Sequence, residues 1–142
     1  MNKLVTEPWP SFTKEEGVIV SKVLLSNKVN YLTGNEGKQF EKEFSKWIGV
    51  NHSIALANGT LALDLALKAL GVKKGDEVIV TPRSFIASVS SVVNVGATPV
   101  FADVDLNSGN ITAETISSKI TSKTKAVICV HLAGWPCDMT PI

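Results

Sequence analysis

The chain is short of the residues that would commit it to several classes of protein. It has two cysteines in 142 residues, Cys129 and Cys137, too few for a disulfide scaffold and too far apart for a CxxC redox pair, so a reducing compartment is expected. No run of roughly 18 apolar residues occurs, and the N-terminal MNKLVTEPWPSFTKEE has no apolar stretch behind its lysine. Neither a membrane span nor a secretory leader is expected, and a cytoplasmic location follows. Charge of one sign is also missing. Fourteen basic residues face 13 acidic ones, for a net charge of +1, and the basic residues alternate with acidic ones in KQFEKEFSK and KKGDE. No stripe for nucleic acid or an anionic membrane is present. His131 and Cys137, with Asp138 beside it, lack a second pair of ligands at zinc-like spacing, so no metal site is expected. His52, next to Asn51 in a turn, reads as solvated.

What is present is globular composition, 44% hydrophobic and 19% charged, at a length that can bury a core. Residues 1–12 hold Pro8, Trp9 and Pro10 and read as an extended arm. Thr13 and Glu16 stand at capping-box spacing, and Ile19, Val20, Val23 and Leu24 form one apolar stripe, which predicts a helix ending near Asn27. A second helix is expected from Glu36 to Ile48, with Phe40, Phe44, Trp47 and Ile48 on one face and Gly49 as its stop.

From Ser53 the rhythm changes. Short apolar runs, SIALA, EVIVT, TPVFADV and KAVICVHL, alternate with helical stretches at 60–70, 84–95 and 113–120. That alternation predicts an α/β fold in three layers with a mostly parallel sheet. EVIV and KAVICV read as continuous apolar runs, as strands buried on both faces do. The final CDMTPI announces another helix, with Thr140 as cap and Pro141 as first residue, so the chain reads as the front part of a longer protein.

In such a sheet ligands lie outside the carboxyl ends of the strands. The Asn58-Gly59-Thr60 junction is one such place. A helix start offers unpaired N–H groups and a positive dipole end, Gly59 allows close backbone approach, and the Thr60 hydroxyl adds a donor, a set suited to a phosphate. An ordinary helix cap would use the same residue types. Asp64 and Lys68, four apart, read as a surface ion pair. Phe85 falls at the next strand-to-helix junction, where its ring could cover a flat cofactor or join the core.

Three blocks, YLTGNEGKQFEKEFSKWIGVNHSIALANGTLALDLALKAL, GDEVIVTPRSFIASVSSVVNVGATPVFADVD and TKAVICVHLAGWPCDMTPI, together resemble the DegT/DnrJ/StrS-type sugar aminotransferases. These are pyridoxal-phosphate (PLP) enzymes of the aspartate aminotransferase-like fold, fold type I. The resemblance implies that residues 13–142 are the N-terminal portion of the PLP-binding large domain. It implies that Gly59, Thr60 and the backbone N–H of Leu61 cradle the PLP phosphate, that Phe85 stacks on the pyridine ring, and that the loop from Tyr31 to Gly34 approaches the sugar. His131 is implied to lie near the cofactor crevice, and Asp103 and Asp105 to be a structural turn feature. Arg83 receives no role.

The family's chemistry also needs a Schiff-base lysine and an aspartate on the pyridinium nitrogen. The fourteen basic residues less the single arginine leave thirteen lysines, each in a polar context that reads as solvated. Both groups are therefore expected beyond Ile142, and the 142 residues are expected to be inactive by themselves. The implied activity is amino transfer, from glutamate, to a nucleotide-linked keto sugar for polysaccharide biosynthesis, by a homodimer. A PLP-dependent sugar dehydratase of the same family and a non-catalytic folded fragment are the alternatives.

Overall fold

The computed structural model describes residues 9–142. Residues 1–8 of the expected arm lie outside them, and residues 9–12 carry neither helix nor strand. The chain divides into two compact units, one ending at Ala55 and one beginning at Leu56.

The first unit contains α1 (Lys14–Leu25) and α2 (Glu36–Ile48). Local chemistry sets their ends. Thr13 N–H donates to Glu16 Oε2 at 2.6 Å and Glu16 N–H returns a bond to Thr13 Oγ1 at 3.2 Å, which is the expected capping box. Gly49 closes α2 at φ +81, a left-handed conformation that glycine adopts without strain. Neither helix buries a residue.

The second unit contains α3 (Gly59–Ala69), β1 (Glu77–Val80), α4 (Ala87–Asn94), β2 (Thr98–Phe101), α5 (Ala113–Ser117), β3 (Thr124–Ile128) and a 3₁₀ turn at Leu132–Gly134. The three strands form a parallel sheet in the order β2-β1-β3. Strand β1 is central, and Val78, Ile79 and Val80 are fully buried. Side chains alternate across a strand, so Val78 and Val80 join Leu67, Val72, Val92 and Ala97 on one face. Ile79 joins Ala102, Ile111, Ile116 and Cys137 on the other. Helices α3 and α4 cover the first face and α5 the second, giving the expected three-layer α/β arrangement. Pro99 lies in β2, a strand at the sheet's edge, where its missing N–H is tolerated.

Three expectations are corrected. The run Ser53–Ala57 is not a strand: apolar sequence makes a segment extended, but a strand needs a ladder neighbour, and none of β1 to β3 pairs with it. Helix α4 starts at Ala87, because residues 82–86 are spent turning, with Ser88 N–H closing on the Phe85 carbonyl at 3.1 Å. Helix α5 stops at Ser117.

Candidate functional site

The strand order reverses at β1: the chain passes from β1 to one neighbour, then returns over the sheet to place β3 on the other side. A crevice opens beyond the carboxyl ends of β1 and β3, where such sheets bind ligands. It encloses about 510 Å³, and its walls include Gly59, Thr60, Ser84, Phe85, Ser88 and His131.

The floor of the crevice is the start of α3. Asn58 is the N-cap, and its Oδ1 accepts from Leu61 N–H at 3.0 Å. The ordinary helix cap weighed as the alternative at this junction is thus present, on Asn58. Among the described residues no partner is present for the N–H of Gly59 or Thr60, or for the Thr60 hydroxyl. Nothing lies within 4 Å of a Cβ built on Gly59, so the backbone here is open to a ligand. Leu61 N–H is committed to Asn58 and would have to exchange that bond to reach an anion.

Phe85 stands at the opposite wall with 74% of its surface exposed. Burial in the core is thus excluded for this ring, and it is held by the turn before α4 rather than by packing. Ser84 and Ser88, one helical turn apart, pair through their hydroxyls at 2.7 Å. Their spacing at a helix start was visible in the sequence, but their place on the crevice required the fold.

The third wall follows β3. His131 Nδ1 accepts from Cys137 N–H at 3.0 Å, so the neutral ring carries its proton on Nε2. Cys137 is buried and donates its thiol to the Val130 carbonyl at 3.3 Å, which accounts for both polar groups of a residue that had invited a metal reading. Burial, and next the neighbouring Cys137, hold the Cys129 thiol above its ordinary pKa, which keeps it protonated and poorly nucleophilic.

Tyr31 and Gly34 belong to the first unit. The Tyr31 hydroxyl donates to Glu41 Oε2 at 2.9 Å, a bond that raises its pKa above the usual phenol value, with the Glu41 charge adding to it. Tyr31, Glu41 and His52 line one shallow surface groove there. Gly34 is buried, and a Cβ on it would stand 2.5 Å from the Lys28 carbonyl oxygen; its glycine is required by the loop itself. Asp64, read as the partner of Lys68, takes hydrogen bonds from Asn94 Nδ2 on α4 at 3.3 and 3.4 Å. Asp105 caps its own turn, as the family resemblance implied, by accepting from the N–H groups of Asn107 and Ser108.

The model of the DegT/DnrJ/EryC1/StrS aminotransferase family matches residues 10–142. GDP-perosamine synthase of Escherichia coli O157:H7 is 44% identical over 137 residues, covering 94% of this chain and 36% of that protein. The crystal structure of an aminotransferase from Psychrobacter cryohalolentis superposes with a TM-score of 0.93 at 64% identity, over 95% of this chain and 34% of that one. A Streptococcus pneumoniae protein solved in a PLP form gives 0.85 at 36% identity, over 91% of this chain and 32% of that one. The chain therefore spans about a third of the length of these relatives. Among the described residues no helix is long and apolar enough to cross a membrane.

Proposed function

The chain belongs to the DegT/DnrJ/EryC1/StrS aminotransferase family, and from that premise we propose that its crevice is the cofactor end of an amino-transfer site. The cofactor is PLP, the acceptor a nucleotide-linked keto sugar and the donor glutamate. One observation carries the reading: the open helix start at Gly59 and Thr60 and the exposed ring of Phe85 face a single crevice. PLP has two chemically distinct ends, a phosphate and a flat heteroaromatic ring, and the crevice offers one group suited to each.

When bound, PLP supplies an electron sink that lets the carbon bearing the amino group lose a proton. This chain's residues do the holding and orienting. The Gly59 and Thr60 N–H groups, the Thr60 hydroxyl and the positive end of α3 hold the phosphate. The Leu61 N–H joins them by giving up Asn58. The Phe85 ring covers one face of the pyridine and keeps water from it. The loop from Tyr31 to Gly34 meets the sugar through Tyr31, whose proton is committed to Glu41 and whose oxygen therefore presents an acceptor. No lysine among the described residues lines the crevice, which supports the proposal that these 142 residues bind PLP without capturing it covalently. Homodimeric assembly, which rests on the family resemblance, and a cytoplasmic location, which rests on the cysteine usage of the sequence, complete the proposal.

PLP retention by the whole protein, followed by absorbance during dialysis, tests the reading. Phe85→Ala should lose about 1 kcal/mol of affinity, roughly fivefold, and Thr60→Val a comparable amount. Retention unchanged in both variants refutes it. For the 142 residues alone, borohydride treatment in the presence of PLP should leave no stoichiometric adduct at a single lysine by mass spectrometry, and finding one would overturn the non-covalent reading.

A further inference from the structure

The turn that joins β2 to α5 has no part in the reading above, yet it touches what stands behind two walls of the crevice. It is closed tightly on itself. Asp105 Oδ2 accepts from Asn107 N–H at 3.0 Å, Ser108 N–H at 2.8 Å and the Ser108 hydroxyl at 3.1 Å. Gly109 N–H donates to the Asp105 carbonyl at 2.8 Å, and Asp105 N–H donates to the Asn110 carbonyl at 2.9 Å. A turn bonded this fully has few ways to move.

From it, two groups reach outward. Asn110 is 2% exposed, and its side-chain amide grips the 131–137 loop at two points. Its Nδ2 donates to the Trp135 carbonyl at 2.9 Å, and its Oδ1 faces Leu132 N–H at 3.5 Å. Between those two points Ala133 is held at φ +51, ψ +28, a left-handed conformation that costs a non-glycine residue energy and persists only where its surroundings enforce it. The same loop carries His131, whose Nδ1 is fixed by Cys137 N–H at the loop's other end. On the other side lies Gly109, at φ +69, where a Cβ would stand 1.8 Å from Arg83 Nη1 and 3.0 Å from Arg83 Cζ. Gly109 thus leaves the space in which the Arg83 guanidinium rests, and Arg83 is two residues from Phe85.

We propose that the Asp105–Asn110 turn is a positioning element for the crevice: Asn110 holds the loop that presents His131 on one wall, and Gly109 seats the Arg83 that steadies the Phe85 turn on the other. Asn110, Gly109 and Arg83 touch no ligand in this assignment and act through His131 and Phe85. The inference concerns the walls and is independent of which group the crevice takes. If the crevice is the amino-transfer site, this turn sets the gap between its ring platform and its Nε2–H donor.

The test reads the two walls rather than the turn. In the whole protein labelled with ¹⁵N-histidine, with His131 assigned through His131→Gln, the wild type should show the nitrogen pair of the Nε2–H tautomer. Asn110→Ala should lose that pattern in favour of a tautomer average, while His52, in the other unit, is unchanged. An unaltered His131 pattern would overturn the proposal, and Asn110→Asp, similar in size but unable to donate to the Trp135 carbonyl, gives the same reading if the alanine variant does not fold. For the other wall, fluorophenylalanine in place of phenylalanine reports on Phe85. Its ¹⁹F resonance should move in Arg83→Ala and in Gly109→Ala, and the double variant should match Arg83→Ala, because Gly109 acts only through the guanidinium it seats. A double variant displaced by the sum of the two single shifts would refute the coupling through Arg83. If Gly109→Ala does not fold, Arg83→Ala by itself should move the resonance, and no movement has the same force.

Discussion

The two units reach their structures by different means. Helices α1 and α2 carry strong local signals, a reciprocal capping box at Thr13 and Glu16 and a left-handed glycine stop at Gly49, yet they bury nothing. Trp47 remains 80% exposed, and Phe40–Phe44 and Phe44–Trp47 stand as tilted pairs with ring centres 5.6 and 5.7 Å apart. The second unit has helix signals of the same kind, a capping box at Thr112 and Thr115 and an Asn58 cap beside an α4 that no side chain caps, but it closes two apolar clusters around one fully buried strand. Capping and periodicity specify where a helix lies. They do not supply the burial from which most helical stability in proteins comes.

The sharpest way to break this contrast is to remove volume from each unit in turn. Ile79→Ala should cost about 2–5 kcal/mol by denaturant unfolding, because the side chain is fully enclosed. Phe44→Ala should cost less than about 1 kcal/mol, and equal losses would show that the first unit has a core after all. Next in size, the first unit should prove sensitive where its backbone, and not its side chains, is crowded. Gly34→Ala forces a Cβ to 2.5 Å from the Lys28 carbonyl oxygen and 2.9 Å from that of Asn30, for about 1–3 kcal/mol of destabilisation, read as faster amide exchange across the Asn30–Gly34 loop. Gly59→Ala in the second unit meets nothing and should leave stability within about 0.5 kcal/mol.

Smaller again is the cap. Thr13→Ala should cost about 1 kcal/mol, seen as loss of protection at the first amides of α1 with the second unit unaffected. The smallest effect compares one carboxylate in each unit. Hydrogen bonds from the Thr13 N–H and then its hydroxyl hold Glu16 below the ordinary carboxylate pKa; the Ser108 N–H and then its hydroxyl do the same for Asp105. Since both pKa values are depressed by folding, both contributions to stability are complete above the ordinary values of 4.5 and 3.8. They are lost as pH falls through the folded-state values. In an NMR titration, Thr13→Ala should return Glu16 toward its ordinary midpoint and leave that of Asp105 where it was.

Reading the sequence located α2 to the residue and placed β1 in the interior, because a glycine stop and an unbroken EVIV run are local statements about backbone and burial. It located Gly59, Thr60 and Phe85 as site candidates for a similar reason: a strand-to-helix junction has a fixed place in an α/β sheet. It did not find Ser84 and Ser88 on the crevice, or Asn110 gripping the 131–137 loop, because those roles depend on partners up to 25 residues away. It also mistook Ser53–Ala57 for a strand, since extended backbone and paired backbone have the same composition.

What the sequence by itself determined is the set of local commitments: which segments are helical, where they are capped, which runs are apolar on both faces, and which junctions leave helix N–H groups free. Tertiary structure alone decided the strand order, with β1 between β2 and β3, and through it which junctions share a crevice. The physical reason is that caps and periodicity act over one or two turns of chain, whereas strand pairing, burial and the seating of Arg83 against Gly109 join residues whose separation along the sequence carries no signal.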